Sequence, residues 1–241
     1  LTEKPQDVTI IQGFPGFGMV GSVATEFLIE HLDVRQIGTV TIEDMPAVVA
    51  IHKGGLVPPV GIYYAESHNV VVVNVLTNGP NQDWQFAELV QEIAHELQAK
   101  EIISLEGVGS QQPSGAQSPQ DLLDQQVHKN YVYATKEDRM KKLEELGFEK
   151  MQESIIMGVS AALILHKFDV TAFFTTTLST LPDSSAAAEL IKALDTYLGL
   201  EVDYRPLLDQ AKQFEQKIKT LLSKSQTMSQ EKEKSMLNYM G

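Results

Sequence analysis

The sequence predicts an α/β protein, a three-layer α/β/α sandwich, on three observations. Short β-branched runs alternate with amphipathic helical stripes over most of residues 7–200. The opening unit is a strand, a glycine loop and a helix in immediate succession. Finally, 43% of the 241 residues are apolar, enough to bury a sizeable core.

The elements follow in chain order. "DVTII" (7–11) reads as a strand, and "MVGSVATEFLIEHL" (19–32) sets Val20, Val23, Phe27 and Leu28 at helical spacing. "QIGTVTI" (36–42), "AVVAI" (47–51), "VGIYYA" (60–65) and "VVVVNV" (70–75) form a block of strands with no helix between them. "DWQFAELVQEIAHELQA" (83–99) carries Phe86, Leu89, Val90, Ile93 and Leu97 on one stripe, and "EIISLEGV" (101–108) is the strand after it. "GSQQPSGAQSPQ" (109–120) is poor in apolar residues and reads as an exposed loop. A strand at 131–135, a charged helix near 137–146, a strand "SIIMG" at 154–158, a helix from Ser160, a strand at 170–178 and a helix at 185–200 complete the alternation.

The pattern changes near residue 201. This predicts a 1–200 domain and a 201–241 helical extension with a flexible tail. Leu207, Ala211, Phe214, Ile218 and Leu221 recur at steps of 4, 3, 4 and 3, a short heptad seam suited to the chain's own body or to another copy. Residues 225–235 are polar apart from Met228, and "MLNYMG" (236–241) turns apolar and aromatic again.

Charge narrows the function. Residues 1–200 carry 12 Lys and Arg against 26 Asp and Glu, while residues 201–241 carry 7 against 6. Such an acidic body repels phosphate backbones and anionic membranes, so neither nucleic acid nor membrane is expected as a partner. Zero cysteines remove thiolate metal sites and cysteine nucleophiles. Without a long apolar span or a leader-like start, the expected location is cytoplasmic.

The glycine loop invites a nucleotide reading. Gly16, Gly18 and Gly21 show G-x-G-x-x-G spacing between strand and helix, with Glu43 and Asp44 a little over 20 residues on. Against it, Gly13, Phe14 and Pro15 intrude before the fingerprint, two phenylalanines flank Gly16, and no Lys-Ser or Lys-Thr follows. Two readings therefore stand beside the nucleotide one: a tight turn with close backbone packing, and an exposed helix N-terminus serving as an anion or partner site with Phe14 and Phe17 as contact residues. The six histidines show no metal-ligand spacing, and no G-x-S-x-G occurs. Ser160 reads as a helix N-cap. Glu66, Asp83 and Glu106 lie near element ends, the usual place of α/β sites, but nothing in the sequence pairs them, and each reads as solvated. No catalytic residue, cofactor or metal is expected.

"GFPGFGMVGSVATEFLIEHL", "VTIEDMPAV", "NGPNQDWQFAELVQEI", "EIISLEGVG" and "IIMGVSAALIL", in that order, resemble the proteasome assembly chaperone family with its archaeal homologues. The resemblance runs over roughly residues 8–200. It implies a fold like that of nucleoside phosphorylases and related hydrolases, used without catalysis. It further implies an ATP-independent chaperone or adaptor, commonly a homo-oligomer, that binds proteasome α subunits. In the archaeal branch, tails ending in a hydrophobic-tyrosine-any signature enter pockets between α subunits, which makes Leu237, Tyr239, Met240 and Gly241 the candidate contacts. Here Tyr239 stands third from the end rather than second, a displacement of roughly 3.5 Å along the chain. The alternative is a phosphorylase- or hydrolase-fold enzyme, or a nucleotide-binding protein, using the loop at 13–21.

Overall fold

The computed structural model describes residues 1–42, 47–52, 54–77, 79, 81–109, 127–166, 168–177, 181–211 and 213. Glu43, Asp44, the loop at 110–126, Phe214, Ile218, Leu221 and the tip with Leu237, Tyr239, Met240 and Gly241 lie outside the described residues.

In chain order the elements are β1 (Thr9–Gly13), α1 (Val20–His31), β2 (Val34–Val40), β3 (Ala50–His52), β4 (Gly55–Val57), β5 (Val60–Ala65), β6 (Val70–Val75), α2 (Asp83–Glu96), β7 (Glu101–Gly109), β8 (Asn130–Ala134), α3 (Glu137–Glu145), β9 (Glu149–Lys150), α4 (Gly158–Leu165), β10 (Val170–Thr177) and α5 (Ser184–Leu198). Eight strands form one mixed sheet in the order β2-β5-β6-β1-β7-β10-β8-β9. Its centre is parallel: β1 pairs with β6 on one side and β7 on the other, and β7 pairs with β10. The antiparallel pairs β2/β5, β5/β6 and β10/β8 lie outside that centre.

Central strands covered on both faces need apolar side chains at successive positions, which explains the valine run of β6, buried at all six residues. Alternation along β1 and β7 distributes the core to two faces. Ile11 and Ile103 join Val20, Phe27 and Leu28 of α1 and Leu190, Ile191 and Leu194 of α5. Ile10 and Ile102 join Phe86, Val90 and Ile93 of α2 and Val159, Ala162 and Leu163 of α4. Helices thus cover both faces of the sheet. α5 is closed at both ends: the Asp183 side chain accepts from the Ala186 amide at 2.9 Å, and Gly199 takes the left-handed conformation at φ 67°.

Three expectations are corrected. Residues 154–157 form no strand, since Ile155 is 87% exposed and has no sheet neighbour; the short strand before α4 is β9. The run at 47–51 does not join the main sheet but contributes Ala50 and Ile51 to a separate β3/β4 hairpin. α4 begins at Gly158, so Ser160 is not its cap; that position falls to Met157, whose side chain caps nothing.

Leu207 and Ala211, the first two residues of the heptad seam, are buried. Residues 205–211 are helical, and Leu207 belongs to the core cluster of α1 and α5. These two side chains are therefore spent on the chain's own body.

Candidate functional site

The connections leaving β1 and β7 diverge. From β1 the chain passes through α1 to the β2 edge, and from β7 it goes on toward β8 and the opposite edge. A crevice opens where neighbouring parallel strands send their connections apart, beyond their carboxyl ends. The glycine loop and residues 105–109 meet there.

Apart from Gly16, where a Cβ would meet only the Phe14 carbonyl at 3.9 Å, the loop's glycines are consumed by close packing. A Cβ on Gly13 would collide with the Gly21 carbonyl, one on Gly21 with the Leu105 carbonyl, and one on Gly107 with the Phe17 carbonyl. Gly18 stands at φ 60° with Thr177 Oγ1 2.8 Å from where its Cβ would be. Close backbone approach of β1, α1 and β7 accounts for Gly13, Gly21 and Gly107, and the left-handed φ with the Thr177 and Asp183 side chains accounts for Gly18. The two phenylalanines part ways: Phe14 packs edge-on against Phe86 at 5.0 Å between ring centres, while Phe17 remains 46% exposed.

Between the loop, the end of β7 and the segment leading into α4 lies a cavity of about 770 Å³. Its walls include Phe14, Phe17, Leu105, Ile155 and Met157, with Glu106 supplying its charged group and Ser154 and Ser160 its hydroxyls. No Lys, Arg or His lines it among the described residues. Behind the wall runs a buried chain of polar groups. Gln12 Nε2 donates to Ser104 Oγ at 2.5 Å, and Ser104 Oγ lies 2.6 Å from Ser160 Oγ. Ser160 in turn hydrogen-bonds the Glu106 carboxyl.

Glu106 departs from the solvated state expected of it. Burial pushes its carboxyl up to about 7, the Asp83 charge adds to the rise, and the Ser160 bond opposes it. The residue as a whole reaches the cavity edge, but its Oε2 is sealed from solvent and has no hydrogen-bond partner. Gln12 Oε1 is orphaned in the same way. Asp83, the first residue of α2, holds Oδ1 3.8 Å from where a Cβ would sit on Gly158. Of the three carboxylates singled out from sequence, the fold therefore gathers two. The third, Glu66, pairs with Arg35 at the surface, 2.8 Å away. Sequence missed the joining of Glu106 to Ser104, Ser160 and Gln12, because no local spacing encodes contacts across 50 or more residues.

Among the described residues no group of His, Asp and Glu is arranged to hold a metal ion, and no helix is long and apolar enough to cross a membrane.

The chain is similar over nearly its whole length to known archaeal proteins. It is 24% identical over 219 residues to an uncharacterized protein of Methanocaldococcus jannaschii, covering 88% of this chain and 84% of that one. PbaA of Pyrococcus furiosus, an archaeal homolog of proteasome-assembly chaperone, superposes with a TM-score of 0.81 at 24% identity, over 97% of this chain and 94% of that one. PbaB of the same organism, an archaeal proteasome activator, gives a TM-score of 0.76 at 22% identity over 92% and 96%. The model of the PAC2 family matches residues 10–222, and the chain belongs to that family.

Proposed function

We propose that this protein is a proteasome assembly chaperone or proteasome-binding adaptor that works by binding and not by catalysis. The observation that carries the reading is the combination of PAC2 membership across residues 10–222 with near full-length likeness to PbaA and PbaB. In this reading residues 1–200 form the chaperone domain, on a frame related to nucleoside phosphorylases, and residues 201–241 form the extension. The protein acts in the cytoplasm as a homo-oligomer on α subunits of the 20S core, engaging them through its C-terminal tails with Leu237, Tyr239, Met240 and Gly241. Several tails on one oligomer multiply a modest affinity through effective concentration.

Phe17, exposed on the loop, is the better contact candidate of the two phenylalanines, since Phe14 is occupied by Phe86. With Leu207 and Ala211 buried on the body, self-association through the seam falls to Phe214, Ile218 and Leu221.

Native mass spectrometry of the chain alone and mixed with α subunits tests the reading. Discrete oligomers and a complex with α rings are expected, and deletion of Met236–Gly241 should abolish co-migration with the rings on native gels. Unchanged co-migration would sink the tail mechanism, and absence of any complex would sink the proteasome reading.

The cavity beside the loop leaves one second reading, a nucleoside or nucleotide site, against which stands the lack of any Lys, Arg or His in its lining among the described residues. Calorimetry with nucleosides, phosphate and adenine nucleotides should then give saturable heat that Gly16→Asp removes.

A further inference from the structure

We infer that the cavity between the glycine loop, the end of β7 and the start of α4 binds a small organic cation, an ammonium or amidinium group carried on an apolar, preferably aromatic body. This stands independently of any action on proteasomes.

The first argument is the balance of donors and acceptors. The buried chain from Gln12 through Ser104 and Ser160 to Glu106 ends in two unpaired atoms, Gln12 Oε1 behind the wall and Glu106 Oε2 on the residue that lines the cavity, and once Glu106 is ionised both are acceptors. A buried acceptor left without a donor costs about 1–3 kcal/mol. What the ionised Glu106 lacks is a donor on the cavity side, and an ammonium brings three with no acceptor of its own.

The second argument is charge. Glu106 lines the cavity, Asp83 lies close enough to raise its proton affinity, and no basic side chain lines the walls among the described residues. The starts of α1, α2 and α4, each with roughly half a positive charge, oppose this, and together they offset less than the Glu106 and Asp83 carboxylates contribute when both are ionised. The sum favours a cation. An anion would face Glu106 with no lysine or arginine to receive it.

The third argument is shape. A volume of about 770 Å³ falls within the size range of small-molecule sites. Phe14, Leu105 and Met157 offer apolar surface, and Phe17 sets an aromatic ring at the loop side where an ammonium gains a further attraction.

The experiment is calorimetry of the full chain at pH 7 with phenethylamine, its neutral isostere 2-phenylethanol and the anion 3-phenylpropionate, each in two buffers of different ionisation enthalpy. The amine should bind saturably and release a fraction of a proton per site, because burial raises the proton affinity of Glu106 and the carboxyl must ionise to receive a cation. Glu106→Gln should weaken binding at least about tenfold while circular dichroism stays unchanged. Should that variant not fold, Met157→Arg, placed at a 59% exposed position, fills the site with its own guanidinium and should abolish binding. Equal or tighter binding of the alcohol or the anion, proton uptake in place of release, amine binding indifferent to both variants, or no binding by the amine would each overturn the inference.

Discussion

β7 carries two glutamates five residues apart that meet opposite fates. Glu101, at the strand's start, is 3% exposed and surrounded by donors. Tyr197 Oη lies 2.9 Å from Oε1, the Thr171 hydroxyl donates to the same oxygen, and Arg139 Nη1 stands 3.4 Å from Oε2. Burial and then the neighbouring Glu101 charge push the Tyr197 hydroxyl up to about 12, so it remains a donor at any ordinary pH. Glu106, at the strand's end, has one serine, a like-charged aspartate and an unpaired oxygen. The same side chain on the same strand is structural where its partners are built in. Where they are missing and a cavity stands beside it, the fold carries an electrostatic debt that a ligand can discharge.

The largest effect should come from breaking the satisfied end. Glu101→Ala leaves the Tyr197 and Thr171 hydroxyls without their shared acceptor and Arg139 with only Asp169 and the Lys100 carbonyl, and should cost about 2–4 kcal/mol, read from urea denaturation. A loss under about 1 kcal/mol would erase the contrast between the two glutamates.

The next test concerns the unsatisfied end and its pH dependence. Between the ordinary glutamate value of 4.5 and the folded value of about 7, the folded state holds a proton that the unfolded chain has released. The stabilising contribution is therefore complete below about pH 4.5 and drains away as pH rises through 7, by at most on the order of 3 kcal/mol. Glu106→Gln should remove this slope and stabilise the protein by about 1–3 kcal/mol at pH 8, with no gain at pH 4.5. Parallel stability curves for the two proteins across that range would show Glu106 to be as well accommodated as Glu101.

The smallest effect sharpens the comparison from outside. Lys136 pairs with Asp169 at 2.7 Å near Arg139, but its side chain is 57% exposed. Lys136→Ala should change stability by no more than about 1 kcal/mol and lose even that in high salt. A larger loss would extend the satisfied network out to the surface.

Much of the architecture was legible in the residues. β5, β6 and the helices α2 and α5 follow from valine runs and from stripes of period 3.6, which need no knowledge of distant neighbours. The failures share a cause in tertiary context. "SIIMG" has a strand's composition, yet Ile155 and Met157 border the cavity and not a sheet neighbour. Ser160 occupies a plausible cap position, yet its hydroxyl is taken by Ser104, 56 residues away. Of the site, Glu106 and Asp83 could be placed near element ends from the pattern alone. That burial would leave one of them short of donors could not, because it depends on three elements meeting.

The position of β1 in the sheet bears on synthesis. It is made before both of its sheet partners, and half of its hydrogen-bonding edge belongs to β7, 92 residues later, as the Gln12–Ser104 contact records. At about 5–20 residues per second, Ile10 and Ile11 wait roughly 5–20 s for that partner to be made. During this interval the nascent chain carries an open, sticky edge, and one that cannot close early by local pairing, since its other neighbour β6 is itself 61 residues downstream at Thr9 and Val70. The centre of the sheet thus closes from each side only once a segment made well after β1 has been added.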